Sequence, residues 1–197
     1  MLGLSVGWPV LKEVVQSSMS KQARWVGVAC VDWDNPTLVA SAFYPDDVPQ
    51  DWYLTYYANY IMACVLSPAK WRSASMEQIQ DWLEQTQDNF WFYLLCETPE
   101  QVEMAQSRAA AFGQKFAGLV LSAALSKEAV SSELPMLNRG QEVFDYDYAD
   151  LRQAKAQLIA WLSSESAQDH ALVLMSAGCA AEAHNVQTLL DLLGGTH

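Results

Sequence analysis

Positive charge is scarce in this sequence. Eleven Lys and Arg residues stand against 23 Asp and Glu residues in a chain of 197, which gives a formal net charge of −12. Binding to a nucleic-acid backbone requires clustered cations that displace counterions, and the densest basic pair here is Lys70 with Arg72. An anionic membrane surface would repel the same negative charge. The sequence therefore predicts neither a nucleic-acid partner nor a membrane partner.

Long apolar runs and targeting signals are also missing. No run of about 18 apolar residues is present, as a membrane-spanning helix would need. The first residues, MLGLSVGWPVLKEVV, place no positive region before the apolar stretch, so they do not resemble a signal peptide. From these features we expect a cytoplasmic protein.

The four cysteines lie far apart and form no C-x-x-C pair. Each lies in or beside an apolar run, which is typical of reduced core thiols: Cys30, Cys64, Cys96 and Cys179. A zinc site would need paired ligands at short spacing. Gly-rich nucleotide loops and the G-x-S-x-G motif are absent as well. We therefore expect no metal and no cofactor.

What the sequence has is apolar and aromatic residues, which make up 51% and 11% of the chain. Apolar runs of strand length alternate with segments of helical spacing, a pattern that favours a parallel sheet covered by helices. We predict strands at 25–31, 62–66, 90–96, 117–125 and 171–177, with 142–148 extended. We predict helices at 9–19, 50–60, 75–86, 98–112, 149–163 and 180–193, and an exposed turn at 68–72. Residues 1–24 are interpreted as an N-terminal segment with a short helix, and 25–197 as a single α/β domain.

The order of aromatic landmarks resembles the YecE-like TIM-barrel family, known as domain of unknown function 72. That family opens with a glycine-containing strand and a Trp, continues with Phe-Tyr-Pro, and then has a helix that ends in Tyr-Tyr-Ala. Here the corresponding landmarks are Gly27, Trp33, Phe43-Tyr44-Pro45 and Tyr56-Tyr57-Ala58. Later landmarks also match in place: Trp82, Phe90, Phe92, Trp161, Asn185 and the leucines Leu189, Leu190 and Leu193. The resemblance implies a TIM barrel, here shortened or incomplete.

The departures from the family pattern concern its polar residues. On this resemblance the family's Glu and Asn fall at Val65 and Ser67, its third-strand Lys falls near Leu95, and its paired Asn fall at Ser176 and Ala177. The region between the third strand and EVFDYDY is also short for a complete eight-fold barrel. The resemblance therefore implies a barrel that kept its packing residues and lost its pocket chemistry.

Ligands of parallel α/β folds lie at the carboxyl ends of the strands. The chemically active residues predicted there are Asp32, Trp33, Lys70, Arg72 and Glu97. Each also has a structural interpretation: Asp32 and Trp33 as a turn, Lys70 and Arg72 as surface cations, and Glu97 as a first-turn charge of the next helix. His170 and His184 are interpreted as surface histidines.

Two functions follow from these observations. The first is a non-catalytic, degenerate family member that acts through protein association, with self-association into a homo-oligomer expected. The alternative is an enzyme or small-molecule binder that holds an anionic, phosphorylated ligand at the strand ends. A shortened barrel would expose strand edges and apolar faces, which favours the first function.

Overall fold

A computed structural model of the protein describes residues 25–147, 151–164 and 170–192. The helix predicted at 9–19, and with it the structure of the N-terminal segment, lies outside the described residues. The division of the chain into that segment and one α/β domain stays a prediction.

Seven parallel strands form a nearly closed barrel surrounded by helices, which confirms the predicted fold class. The order of the strands in the sheet is β5-β4-β3-β2-β1-β7-β6. The strands are β1 (Trp25–Val31), β2 (Ala63–Leu66), β3 (Trp91–Cys96), β4 (Phe116–Leu121), β5 (Met136–Asn138), β6 (Val143–Tyr146) and β7 (His170–Met175). Consecutive strands from β1 to β5 are neighbours, so the intervening segments cross over the outside of the barrel.

The helices predicted at 50–60, 75–86, 98–112, 149–163 and 180–193 each overlap an observed helix, whereas the sequence predicts no helix at Pro36–Ala40 or Pro68–Ser73. The observed helices are α1 (Pro36–Ala40), α2 (Tyr53–Ala58), α3 (Pro68–Ser73), α4 (Met76–Glu84), α5 (Pro99–Phe112), α6 (Leu151–Leu162) and α7 (Ala183–Leu192). Short 3-10 turns lie at Gln50–Trp52, Gly113–Lys115, Lys127–Ala129 and Ala177–Glu182. Local signals fix several ends: Ser75 and Gln78 form a capping box before α4, and the Thr98 hydroxyl caps α5 with Pro99 in its first turn.

The side chains of the strands divide into two separate cores because successive residues of a strand point to opposite faces. The larger core lies between the strands and the helices and contains residues such as Cys30, Cys64, Leu94 and Val173. The smaller core fills the barrel itself. Its buried members are Ala29, Ala63, Val65, Tyr93, Leu95, Val120, Leu137, Val143, Leu172 and Leu174.

One buried tyrosine joins the first two strands. The backbone N–H of Cys30 donates to the Tyr57 hydroxyl at 2.8 Å, and that hydroxyl donates to the carbonyl of Ala63, also at 2.8 Å. Tyr57 is fully buried. Its position on α2 therefore fixes how β1 and β2 meet.

The two edge strands come together at the short connection between β5 and β6. An isolated parallel bridge joins Arg139 to Val143. The buried carboxylate of Glu142 stabilises the connection, since it accepts the Asn138 N–H at 3.0 Å and pairs with Lys127 at 2.5 Å. The carboxyl end of β5 and the start of β6 thus meet at a single bridge, while β5 and β6 remain the two edge strands of the sheet.

Three local predictions need correction. Residues 68–73 form helix α3 with a fully buried Trp71, not an exposed turn. The strand predicted at 117–125 ends at Leu121. The unassigned segment before Arg139 contains strand β5, whose three residues are too few to show a periodicity.

Candidate functional site

The carboxyl-terminal end of the barrel interior is lined by hydrocarbon. The last inward-facing residues of β1, β2, β3, β4, β5 and β7 are Val31, Val65, Leu95, Val120, Leu137 and Leu174. All except Val31 are buried, and Val31 packs against them. None of these side chains can transfer a proton or hold an anion.

Polar groups gather at one side of the opening, where β6 and β7 end. They line a cleft of about 380 Å³ whose apolar floor includes Val31 and Leu174. Arg139 donates from Nε to both carboxylate oxygens of Asp145, at 3.0 and 3.2 Å, and Ser176 donates to Asp147 at 2.9 Å. The charged groups of this cleft therefore bind one another.

A second cleft, of about 370 Å³, lies at the ends of β1 and β2 and extends outward to α3 and α4. Asp32 lines this cleft at the end of β1 and adopts a left-handed backbone conformation with φ of 51°. Its carboxylate accepts the Ser67 N–H at 2.9 Å. Burial raises the pKa of Asp32, while the hydrogen bonds from Ser67 and the charge of Lys70 oppose that rise.

Lys70 lies on the wall of this cleft in a position set by three neighbours. Its ammonium group pairs with Asp34 at 2.6 Å and lies 4.1 Å from the centre of a Trp33 ring. The ring of Trp82 is 5.8 Å away. Because the ammonium group already has a carboxylate and an aromatic face, its capacity to bind a further anion is reduced.

The structure brings Asp32, Trp33 and Lys70 of the predicted site together, but not the other two residues. Arg72 is exposed and lines a different shallow cleft with Met104. Glu97 is exposed, and its backbone N–H donates to the side chain of Gln101. The five residues thus do not converge on one cavity in the described part of the chain.

Three of the four cysteines are buried thiols whose pKa is raised. Burial raises the pKa of both Cys30 and Cys96 to about 12 and that of Cys64 well above its ordinary value. These three form no disulfide, and Cys179 is half-buried. The predicted core thiols are confirmed for Cys30, Cys64 and Cys96. Among the described residues there is also no cluster of three metal-ligating side chains.

A histidine that we predicted at the surface lies instead in the barrel, near the amino-terminal ends of its strands. His170 stacks on Trp25 with ring centres 4.5 Å apart, and its Nε2 lies 2.6 Å from the Tyr93 hydroxyl. The alternation of His170 with Leu172 and Leu174 along β7 was a sequence signal for an inward position. Burial lowers the pKa of His170.

This lowered pKa predicts an acid-sensitive fold. Unfolding restores His170 to a value near 6.5, so the unfolded chain binds more protons as pH falls below that value. The free energy of unfolding should therefore decrease from about pH 6.5 downward. Urea titrations of the His170→Gln variant should show a weaker decrease than the wild type over this range. The exposed His184→Gln variant is the control and should follow the wild type, whereas identical pH profiles for all three proteins would refute the assignment.

Part of the chain is similar to a known protein family, and the fold is similar to that of a solved structure. Residues 27–99 match the family model "Protein of unknown function DUF72". The fold matches the crystal structure of a DUF72 family protein from Thermotoga maritima with a TM-score of 0.62 and 12% identity, over 85% of this chain and 100% of that one. No curated protein matches the sequence. None of the described helices has the length and apolar character needed to cross a membrane.

Proposed function

We propose that the chain is a divergent and shortened member of the DUF72 family, whose function is unknown, and that it is a non-catalytic protein that acts by associating with copies of itself. One observation carries the proposal: the inward-facing residues at the carboxyl ends of six of the seven strands are apolar. In a catalytic barrel these are the positions from which reactive side chains reach a substrate.

The positions that the family resemblance singles out support this interpretation. Val65 and Leu95, where the family's Glu and Lys fall, both belong to the apolar core inside the barrel. General acid–base catalysis requires a titratable group beside the reacting atom. Apolar side chains at these positions still pack inside the barrel. They do not supply the groups that would catalyse a reaction there.

The charged groups nearest the opening support it as well. Arg139 is held by Asp145 and Ser176 donates to Asp147, so each group already has a partner within the protein. A ligand would have to break these contacts before it could use them. We propose that the protein needs neither a metal nor a cofactor, and that its partners are proteins, not nucleic acid or membrane.

Association is supported by large aromatic side chains left at the surface. Trp52 and Tyr60 are exposed, and such residues contribute most of the binding energy in many protein interfaces. Cys30, Cys64 and Cys96 form no disulfide, which is consistent with a reducing compartment, and we propose that the protein is cytoplasmic.

The test of association is the mass of the full chain in solution, measured by light scattering over a hundredfold range of concentration. We expect a mass that rises with concentration to at least twice the 21.9 kDa of one chain. A mass that stays at one chain throughout would contradict self-association. The measurement uses all 197 residues of the chain.

A second candidate function rests on the cleft that begins at Asp32. Left-handed backbone at a residue other than glycine is enriched at functional sites, and Asp32 shares a cleft of about 370 Å³ with Lys70. This cleft is the place where a small anionic ligand, such as a phosphorylated metabolite, would bind if the protein is a ligand binder. The ion pair of Lys70 with Asp34 makes this the weaker candidate.

A further inference from the structure

An aromatic face lies on the helical segment between β1 and β2. Trp52 lines a cleft together with Tyr56, and the Tyr56 ring packs beside that of Tyr60, so the three side chains lie on the same side of the segment. Trp52 is 62% exposed and Tyr60 is 54% exposed. The rings of Tyr56 and Tyr60 are 4.9 Å apart, and Phe43 supports both from below. The face is therefore rigid as well as exposed, which lowers the entropy lost when it binds.

Negative charge borders this aromatic face. Asp46, Asp47 and Asp51 are exposed beside it, and Asp47 shares a cleft of about 290 Å³ with Trp52 and Tyr56. No Lys or Arg occurs between Arg24 and Lys70 in the sequence. None of the ion pairs formed among the described residues involves these carboxylates, so a surface that brings cations would complement them.

A second surface of the same protein carries arginines beside an exposed methionine. This arginine–methionine face consists of Arg72 on α3 and of Met104 and Arg108 on α5, and Arg72 and Met104 line one shallow cleft. Met104 is 43% exposed. Arg108 donates to the carbonyl of Arg72 at 2.9 Å, which holds the two basic residues together. Neither arginine takes part in the ion pairs formed among the described residues.

We infer that the aromatic face of one copy docks on the arginine–methionine face of a second copy. This inference rests on the proposed self-association and names the surfaces that perform it. Guanidinium groups bind both the faces of aromatic rings and carboxylates, and methionine sulfur packs favourably against aromatic rings. Two aromatic faces placed against each other would instead bring six Asp side chains together, a like-charge arrangement that opposes binding.

The geometry of such a contact has a consequence for assembly. Because two different faces of each copy meet, the contact is heterologous, and repeated use builds a ring or an open filament instead of a simple two-fold dimer. Charge pairing at the rim also makes the contact sensitive to salt. We therefore expect association to weaken when the ionic strength is raised.

Two variants test the inference, and each carries a substitution on only one of the two faces. Trp52→Ala removes the central ring of the aromatic face, and Arg72→Glu reverses a charge on the opposite face. Measured separately by sedimentation velocity, each should raise the dissociation constant at least tenfold relative to the wild type. Mixed in equal amounts, they should form a one-to-one dimer, because each supplies the face that the other has lost.

Control variants separate this outcome from general damage. Leu192→Ala removes an exposed apolar side chain and Lys155→Glu reverses an exposed charge, both away from the two faces, and both should associate like the wild type. Urea unfolding should show that Trp52→Ala and Arg72→Glu remain folded.

The results distinguish an error in the assigned contact faces from an error in the proposed self-association. If the wild type associates and either variant associates equally well, the assigned surfaces are wrong while self-association stands. If the single variants are weakened but their mixture stays monomeric, the contact is not heterologous and the inference is overturned. If the wild type is monomeric at every concentration, the inference and the proposed function both fail.

Discussion

Replacing Tyr57 by Phe should lower the free energy of unfolding by about 2–4 kcal/mol, because the change leaves two buried backbone groups without a partner. The hydroxyl accepts the N–H of Cys30 and donates to the carbonyl of Ala63. Phe keeps the ring and its packing, so the loss reports on the hydrogen bonds alone. Urea denaturation monitored by circular dichroism measures the change.

The matched control is Tyr60→Phe, which removes a hydroxyl from an exposed ring on the same helical segment. It should change the free energy of unfolding by less than about 0.5 kcal/mol, as is usual at exposed positions. Equal effects of the two substitutions would show that Tyr57 does not join β1 to β2 as described.

The substitution Val65→Glu places a carboxylate where the family resemblance implies one. It should lower the free energy of unfolding by about 4 kcal/mol or more at pH 7. Val65 lies in the apolar core of the barrel and is fully buried. Burial of a carboxyl group in such surroundings raises its pKa by several units, and each unit corresponds to about 1.4 kcal/mol. The reference variant is Val65→Gln, which has the same size and hydrogen-bonding character without the charge.

The stability of the Val65→Glu variant should depend on pH, and the direction of the change follows from the pKa of the new carboxyl group. The carboxyl group of Val65→Glu has an ordinary pKa near 4.3 in the unfolded chain and a higher one in the folded protein. The folded state therefore loses stability as pH rises above about 4.3. Near pH 4 the Glu and Gln variants should unfold at similar urea concentrations, and by pH 7 the Glu variant should be far less stable. Equal stability at pH 7 would mean that a cation or solvent reaches position 65.

Much of the fold could be predicted because the strands are continuous apolar runs. WVGVACV and FWFYLLC are buried almost throughout, and their length and β-branched or aromatic residues distinguish them from helices. The capping residues Ser75 and Thr98 likewise fixed the beginnings of α4 and α5. These signals are local, and local signals can be recognised in a single sequence.

The errors occurred where the local signal was short. Helix α3 begins with the Ser67 hydroxyl accepting the Lys70 N–H and with Pro68 in its first turn, so a start signal was present. Six residues were too few for an apolar periodicity to support it. Strand β5 has only three residues, and its pairing with β4 depends on contacts across the barrel that no local pattern encodes.

The candidate site was harder to predict than the fold. Asp32 could be predicted because it directly follows a buried strand, and Lys70 because it lies in the short segment just beyond the next one. The pairs Arg139–Asp145 and Asp147–Ser176 were missed because they depend on how the ends of β5, β6 and β7 meet. Arg72 was assigned to the strand ends by sequence position alone, and α3 carries it to a different surface.

We propose that the strand ends lack the groups needed to bind and transform a substrate. The decisive measurement is a thermal-shift survey of the full chain against phosphorylated metabolites at millimolar concentration. We predict that no compound raises Tm by more than about 1 °C, since a ligand stabilises a protein only in proportion to its affinity for the folded state. A saturable increase of several degrees with one metabolite, abolished in Asp32→Asn or Lys70→Met, would contradict the account.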